Sequence, residues 1–360
     1  MSKRLLLVCN TSPEHLGGYL YSAARSMGIE TAVHDIRLAA AGPRWAAAAA
    51  WRFGRRPLRM SRYGKTLLEK CTQWQPRLVI CTGIAPISRE VLLALRKMGI
   101  AVFNYLTDDP WNPGRLASWF LEALRHYDHV FSPRQANLED LRRHGCRAVS
   151  YLPFAYHEEI HLGSCEPGVT DEHWPDIVFV GGGDADRVPF LAALIEAKLD
   201  VRLYGGYWDR FPQTWRNACG LIDPRDARQA TAHAKIALCL VRRANRDGHC
   251  MRSFEIPAMG GCMLAESTAE HRDILGEEGA AVLYFKDIPE MIGKARWLLD
   301  HPAERQRLRT AAYRLITSGG HTYRDRLRSM WACFAPGSLA ESGQAQPPEE
   351  IRVRTSTGIH

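Results

Sequence analysis

Arg252-Ser-Phe-Glu255-Ile-Pro-Ala-Met-Gly260-Gly261 sets an arginine and a glutamate on a short stretch that ends in a glycine pair. A new apolar run, Cys262-Met-Leu-Ala265, follows at once. Charged groups at the start of a helix, then glycine, then a buried strand, are the pieces of an α/β unit. Ligands of such units bind at the carboxyl ends of strands and beside helix N-termini. A carboxylate there can hold hydroxyls and a guanidinium can hold phosphate. A sugar nucleotide offers both.

The same alternation continues outward in both directions. Upstream, residues 177–180, 201–204 and 236–240 read as strands, and 188–198 as a helix. Downstream, helices at 269–275, 288–299 and 305–317 flank a strand at 280–285. A last amphipathic helix at 321–334 either closes this half or crosses back onto the first. The first half repeats the pattern, with strands at 5–9, 30–34, 78–81, 101–105, 129–131 and 148–151. Helices are expected at 19–27, 67–74, 89–98, 116–126 and 134–144. Strands alternating with helices of this length predict parallel sheets covered on both faces.

The 360 residues are too many for most single cores and comfortable for two. The expected organisation is a Rossmann-like domain over 1–155, a linker over 156–175 and a second Rossmann-like domain over 176–334. The tail 335–360, rich in Pro, Gly, Gln, Glu and Ser, is expected to be disordered. Two such domains facing across a cleft make an α/β architecture that holds ligands between its halves. Residues 42–64 are rich in Arg, Trp and Ala and read as a mobile or surface helical insertion.

The balance is basic, +8, and mostly arginine, which suits phosphate. Nucleic acid is not expected as a partner, because no recognition helix, zinc spacing or aromatic–basic repeat is present. No segment reads as membrane-spanning, and the alanine run 46–50 is too short. Peripheral membrane contact stays open. Ten dispersed cysteines without a C-x-x-C pair suit reduced thiols in a cytoplasmic protein. The loop 10–18 has two glycines but lacks G-x-G-x-x-G, so a dinucleotide cofactor is not expected.

Three loops in the second half sit at expected strand ends. Gly181-Gly182-Gly183, with Arg187 beyond it, lets main-chain N–H groups face a phosphate. Tyr204-Gly-Gly-Tyr-Trp208 offers aromatics that either stack on a base or seal the sheet edge. The third loop carries Asp247 and His249 into Arg252 and Glu255. His249 either donates to a phosphate or sugar hydroxyl, or faces solvent. In the first half, Asp108 and Asp109 end a strand on the catalytic edge. His15, beside Gly17 and Gly18, is a second candidate base.

The block 251–265, then Glu270-His-Arg-Asp-Ile-Leu, Tyr284-Phe-Lys-Asp287 and Leu298-Leu-Asp-His-Pro302, resembles the CgeB/YkvP-like glycosyltransferases of the GT-B group. The likeness covers roughly 175–330. The first half resembles the family more loosely, through Tyr105-Leu-Thr-Asp108-Asp109-Pro110 and Tyr127-Asp-His-Val-Phe131. The resemblance implies a GT-B fold and transfer of a sugar from a nucleoside diphosphate sugar to an acceptor hydroxyl, with no metal. It implies that Glu255 contacts the donor ribose and that Asp247 replaces a usual glutamate near the transferred sugar. It gives Arg187 one place in a diphosphate-binding basic pair, with Arg252 or Arg243 as the second. It puts the acceptor and any base, Asp109 or His15, in the first domain. Two other readings of the same form remain: a sugar-nucleotide epimerase, or a non-catalytic protein that binds nucleotide or polysaccharide.

Overall fold

The computed structural model describes residues 4–12, 15–162 and 174–335. Residues 163–173 of the expected linker, and all of the expected tail except Ala335, lie outside the described residues.

Two six-stranded parallel sheets organise the chain. The first contains β1 (Arg4–Cys9), β2 (Glu30–Asp35), β3 (Leu78–Thr82), β4 (Ala101–Tyr105), β5 (His129–Ser132) and β6 (Val149–Tyr151), in the order β2-β1-β3-β4-β5-β6. The second contains β7 (Ile177–Val180), β8 (Val201–Tyr204), β9 (Ala218–Gly220), β10 (Ile236–Cys239), β11 (Met263–Glu266) and β12 (Leu283–Phe285), in the order β12-β11-β10-β7-β8-β9. Each order reverses once, beside β1 and β3 in the first sheet and beside β7 and β10 in the second. Those reversals open a crevice at the carboxyl ends of the strands. Leu5 lies between Thr31 and Leu78 in register, and Leu5 through Cys9 are fully buried. Helices on both faces make such burial possible, which is why the inner strands are continuous apolar runs.

The covering helices of the first half are α1 (Leu16–Ser26), α2 (Arg44–Gly54), α3 (Met60–Trp74), α4 (Arg89–Lys97), α5 (Ser118–Leu124), α6 (Ala136–Arg143) and the single turn α7 (Glu158–His161). The second half adds α8 (Val188–Glu196), α9 (Pro224–His233), α10 (Arg252–Ala258), α11 (Ala269–Leu275), α12 (Ile288–Asp300), α13 (Pro302–Ser318) and α14 (Tyr323–Phe334).

Several elements depart from the sequence reading, among them α7, which lies within the expected linker. Strand β9 is short, partly exposed and contains glycine, so it lacks a strand's apolar alternation. Helix α9 carries its own start signal, with Asp223 accepting from the N–H groups of Arg225 and Asp226 ahead of Pro224 at the first position. Helix α3 starts at Met60, ahead of the expected 67, because Tyr63, Gly64, Leu67 and Cys71 share one buried face. The open question about the last helix is answered by packing. Helix α14 lies against α1, with Tyr323 and Tyr19 ring centroids 5.2 Å apart. Thr322 and Asp325 form a capping box at its start, and Arg326 donates to the carbonyls of Pro153 and Phe154. The chain thus returns to the first half and ties the two together.

Where β7 and β8 end, their loops touch. A Cβ on Gly205, at φ +125°, would meet the Gly181 carbonyl oxygen at 2.3 Å. The substitution Gly205→Ala is expected to destabilise the protein by about 3 kcal/mol, from strain plus the displaced backbone. Urea unfolding checks this, and a variant within about 0.5 kcal/mol of wild type contradicts it.

Candidate functional site

The reversal of the second sheet brings together the loops after β7 and β10 and the start of α10. Glu255, in the first turn of that helix, is fully buried. One carboxylate oxygen, Oε2, accepts from Arg252 Nη1 one turn away. Arg252 also donates from Nε to the Val180 carbonyl at 2.8 Å, which aims it at the end of β7. The other oxygen, Oε1, has no hydrogen-bond donor. His161 Nε2 lies 3.6 Å from it, too long for a hydrogen bond. His161 accepts at Nδ1 from the His157 N–H, so its proton sits on Nε2, facing Glu255. Burial holds its pKa well below the usual histidine range, so the ring is neutral. Sequence reading missed His161, because it comes from the segment between the sheets and carries no motif.

Behind α10 lies a second buried layer. Ser253 Oγ meets His271 Nε2 at 2.8 Å and accepts from the Cys250 N–H at 3.0 Å. His271 Nδ1 is held 2.7 Å from the Glu266 carbonyl. Both side chains have no exposed surface, so this serine–histidine pair positions the loop into α10 and presents no nucleophile. Cys239 and Cys250 sulfurs lie 3.7 Å apart, and that contact favours the Cys250 thiolate.

Two N–H groups of the glycine loop are already engaged, against the expectation that they face a phosphate. The Gly181 N–H donates to the Tyr204 carbonyl at 2.8 Å, and the Gly183 N–H to Gly206 at 2.9 Å. These glycines let two loops approach closely, with Trp208 Nε1 bonded to the Gly181 carbonyl at 2.7 Å. Gly182 supplies its carbonyl to Arg187 Nη1 at 3.0 Å. Arg187 is nearly buried over the Phe179 ring, with Nε unpartnered. Its guanidinium is therefore a held cation with a donor in reserve, not the solvated arginine of a flexible turn. Burial first, and Arg242 second, lower its pKa. Tyr204 ends β8 half-buried, its carbonyl closing the loop contact.

The remaining sequence candidates meet across the cleft. Asp247 pairs with Arg134 of the first half, both nearly inaccessible. Burial raises the Asp247 pKa, and Arg134 opposes that shift. Asp109 is buried and accepts from the Trp111 N–H, Asn137 Nδ2 and Arg246 Nε, the last at 2.6 Å. With both oxygens engaged, Asp109 ties the halves together. Asn112 and Asn245 add a 2.8 Å bond alongside.

His249 meets neither of its two expected roles, since it is fully buried. Its Nε2 accepts from the Phe154 N–H at 3.1 Å, and Nδ1 donates to Glu270 at 2.6 Å. Glu270 also accepts from the Gln135 N–H at 3.1 Å and from Tyr151 hydroxyl at 3.0 Å. One carboxylate of the second half thus collects donors from both halves. A Cβ on Gly248 would meet that carboxyl at 2.5 Å, so glycine is needed there. Burial would raise the Glu270 pKa, but the bonds from His249, Gln135 and Tyr151 outweigh it and the net shift is downward. A depressed carboxyl pKa stabilises the fold above the ordinary value, and the gain is lost as pH falls through the folded value. Glu270→Gln is therefore expected to cost about 2 kcal/mol at neutral pH and progressively less in acid. Urea unfolding at several pH values checks it, and a deficit independent of pH would contradict the assignment.

His15 is exposed just ahead of α1, at the cleft edge of the first sheet, and its main-chain N–H donates to the Ser12 carbonyl at 2.9 Å. Among the described residues no group of three or more His, Cys, Asp or Glu side chains is placed to hold a metal ion. Among the described residues, no helix is long and apolar enough to cross a membrane.

Residues 187–332 match a family model described as glycosyl transferase-like. No curated protein sequence matches the chain. Among solved structures, sucrose-phosphate synthase from Thermosynechococcus elongatus is similar at TM-score 0.68 and 11% identity, covering 92% of this chain and 98% of that one. HepE from Anabaena in complex with UDP-glucose aligns at TM-score 0.65 and 11% identity, over 91% and 98%. A Listeria monocytogenes protein provisionally described as a UDP-N-acetylglucosamine 2-epimerase aligns at TM-score 0.57 and 12% identity, over 96% and 100%. These likenesses make the architecture GT-B: two Rossmann-like sheets facing across a cleft.

Proposed function

We propose that this protein is a glycosyltransferase that moves a sugar from a nucleoside diphosphate sugar to an acceptor hydroxyl. The observation that carries the reading is Glu255, a fully buried carboxylate with one oxygen held by Arg252 and the other lacking a donor. Vicinal ribose hydroxyls supply two donors at the spacing of a carboxylate. Buried polar atoms are mostly partnered, and an acceptor without a donor at a sheet's switch point is free to take a hydrogen bond from a ligand hydroxyl. The match of 187–332 to a glycosyl transferase-like model supports the same reading. So do similar folds solved with UDP and UDP-glucose.

In this proposal Arg187 and Arg252 face the diphosphate and stabilise the leaving group by charge, without a metal. Asp247 lies toward the transferred sugar once Arg134 releases it. His15, exposed on the first half, is the candidate to take the acceptor proton. A cytoplasmic setting belongs to the same proposal, supported by free thiols at all nine described cysteines. The specific likeness to CgeB/YkvP-like enzymes is also part of it.

The epimerase reading draws support from the Listeria fold and needs acids or histidines around an anomeric carbon. Asp109, Asp247 and His249 are engaged in cross-cleft bonds that either reading would have to part. The deciding experiment is thermal stabilisation by a panel of UDP-, GDP-, dTDP-, ADP- and CDP-sugars, repeated with EDTA. A shift with one nucleotide, kept in EDTA and lost in Glu255→Ala, is expected. No shift with any donor, in folded protein, would overturn the proposal.

A further inference from the structure

We propose that the surface formed by α2 and the segment after it docks on an anionic lipid bilayer. The segment 36–68 contains eight basic residues, Arg37, Arg44, Arg52, Arg55, Arg56, Arg59, Arg62 and Lys65, and no acidic one. The whole chain has a net charge of +8, so this one stretch holds as much positive charge as the entire excess. Arg37 is neutralised by Asp35 at 2.6 Å, whereas Arg52, Arg56, Arg59, Arg62 and Lys65 are exposed.

The apolar residues of α2 point the wrong way for a core helix. Ala46, Ala47 and Ala50 are half-buried, while Trp45 is 77% and Phe53 is 89% exposed. At helical spacing Trp45, Ala49 and Phe53 fall on one face, with Ala48 and Arg52 beside them. A large aromatic at each end of an outward alanine face, rimmed by arginines, is the composition of a helix lying in a membrane interface. The helix is held firmly: Trp119 Nε1 donates to the Arg55 carbonyl at 2.8 Å, and Arg55 Nη1 to the Gly114 carbonyl at 2.8 Å. Those partners belong to the chain following β4, which also contains Asp109. The surface therefore adjoins the cleft on the first half's side.

Charge selects the occupant. A second copy in isologous contact would bring one acid-free basic surface against another. A single-stranded nucleic acid needs a groove that tracks its backbone, and α2 is a convex helix whose outward centre is alanine. An anionic bilayer satisfies both halves of the pattern, with headgroups for the arginines and an apolar boundary for Trp45 and Phe53. The docking does not depend on nucleotide chemistry, so it can fail or succeed apart from the proposed transfer.

The test is co-sedimentation of the full chain with phosphatidylcholine vesicles and with vesicles that also contain phosphatidylglycerol. Partitioning at least about tenfold stronger on the anionic vesicles, falling with salt, is expected. Trp45→Ser/Phe53→Ser should reduce it about tenfold or more. Arg52→Glu/Arg56→Glu should reduce it at least about fivefold for each charge removed. All four positions are exposed, so both double variants should keep the wild-type thermal midpoint and nucleotide response. Equal partitioning on the two vesicle types would overturn the proposal, as would anionic binding indifferent to the Trp45 and Phe53 changes. Preferential capture of a single-stranded oligonucleotide over anionic vesicles would overturn it as well.

Discussion

Glu255→Ala should abolish the response to the nucleotide that stabilises the wild-type protein, weakening binding about 100-fold or more. That figure is the loss of two hydrogen bonds to a charged acceptor, about 3 kcal/mol in total. The folded state should tolerate the milder change Glu255→Gln, which keeps the volume. Its removed charge strands nothing, because Arg252 is 32% exposed and keeps its bond to the Val180 carbonyl. The wild type already leaves one buried carboxylate oxygen without a donor, which costs stability in the free protein. Glu255→Gln should therefore unfold within about 1 kcal/mol of wild type while binding nucleotide about tenfold more weakly. A residue that served only the helix dipole would show the opposite pattern, with stability lost and binding kept. Isothermal titration of both variants beside urea unfolding separates the two outcomes. Binding by Glu255→Ala within about threefold of wild type would sink the assignment.

How much of this was legible beforehand follows from the range of the interactions. The strands are apolar runs set by local burial, and Ala101–Tyr105 and Ile177–Val180 match their sequence spans at both ends. The pair Arg252 and Glu255 was legible because one helical turn fixes their proximity. The partners of Asp109, Asp247 and His249 were not, because they are long-range. Arg246 is 137 residues from Asp109, Arg134 is 113 from Asp247, and Phe154 is 95 from His249. No periodicity encodes which loop of one sheet meets which loop of the other. The glycine loop misled for a different reason. A run of glycines permits both an anion nest and close loop packing, and the atoms across from it decide. Here the carbonyls of Tyr204 and Gly206 take two of the three amides.

Those long-range bonds carry the second large prediction. Arg134 and Asp247 form a cross-cleft pair with 2% and 7% of their side chains exposed. Removing one partner of such a pair leaves a buried charge without compensation, which typically costs about 3–5 kcal/mol. Arg134→Ala should show that loss at neutral pH, because Arg134 is the cation paired with Asp247. The double variant Arg134→Ala/Asp247→Asn should recover most of it, since no charge is then stranded. The pH dependence has a definite sign. Burial already raises the folded Asp247 pKa above 3.8, and losing Arg134 raises it further. A raised carboxyl pKa means the folded state prefers the proton, so the penalty is small near the ordinary value and grows as pH climbs through the folded one. The deficit of Arg134→Ala relative to wild type should therefore shrink as pH falls. Urea unfolding at mildly acidic and neutral pH, on wild type and both variants, reads all three terms. A deficit below about 1 kcal/mol at neutral pH would mean the pair contributes no more than a surface contact. A full deficit, rescued by Asp247→Asn, would fix Asp247 as a buried carboxylate whose charge is compensated by Arg134 of the opposite half.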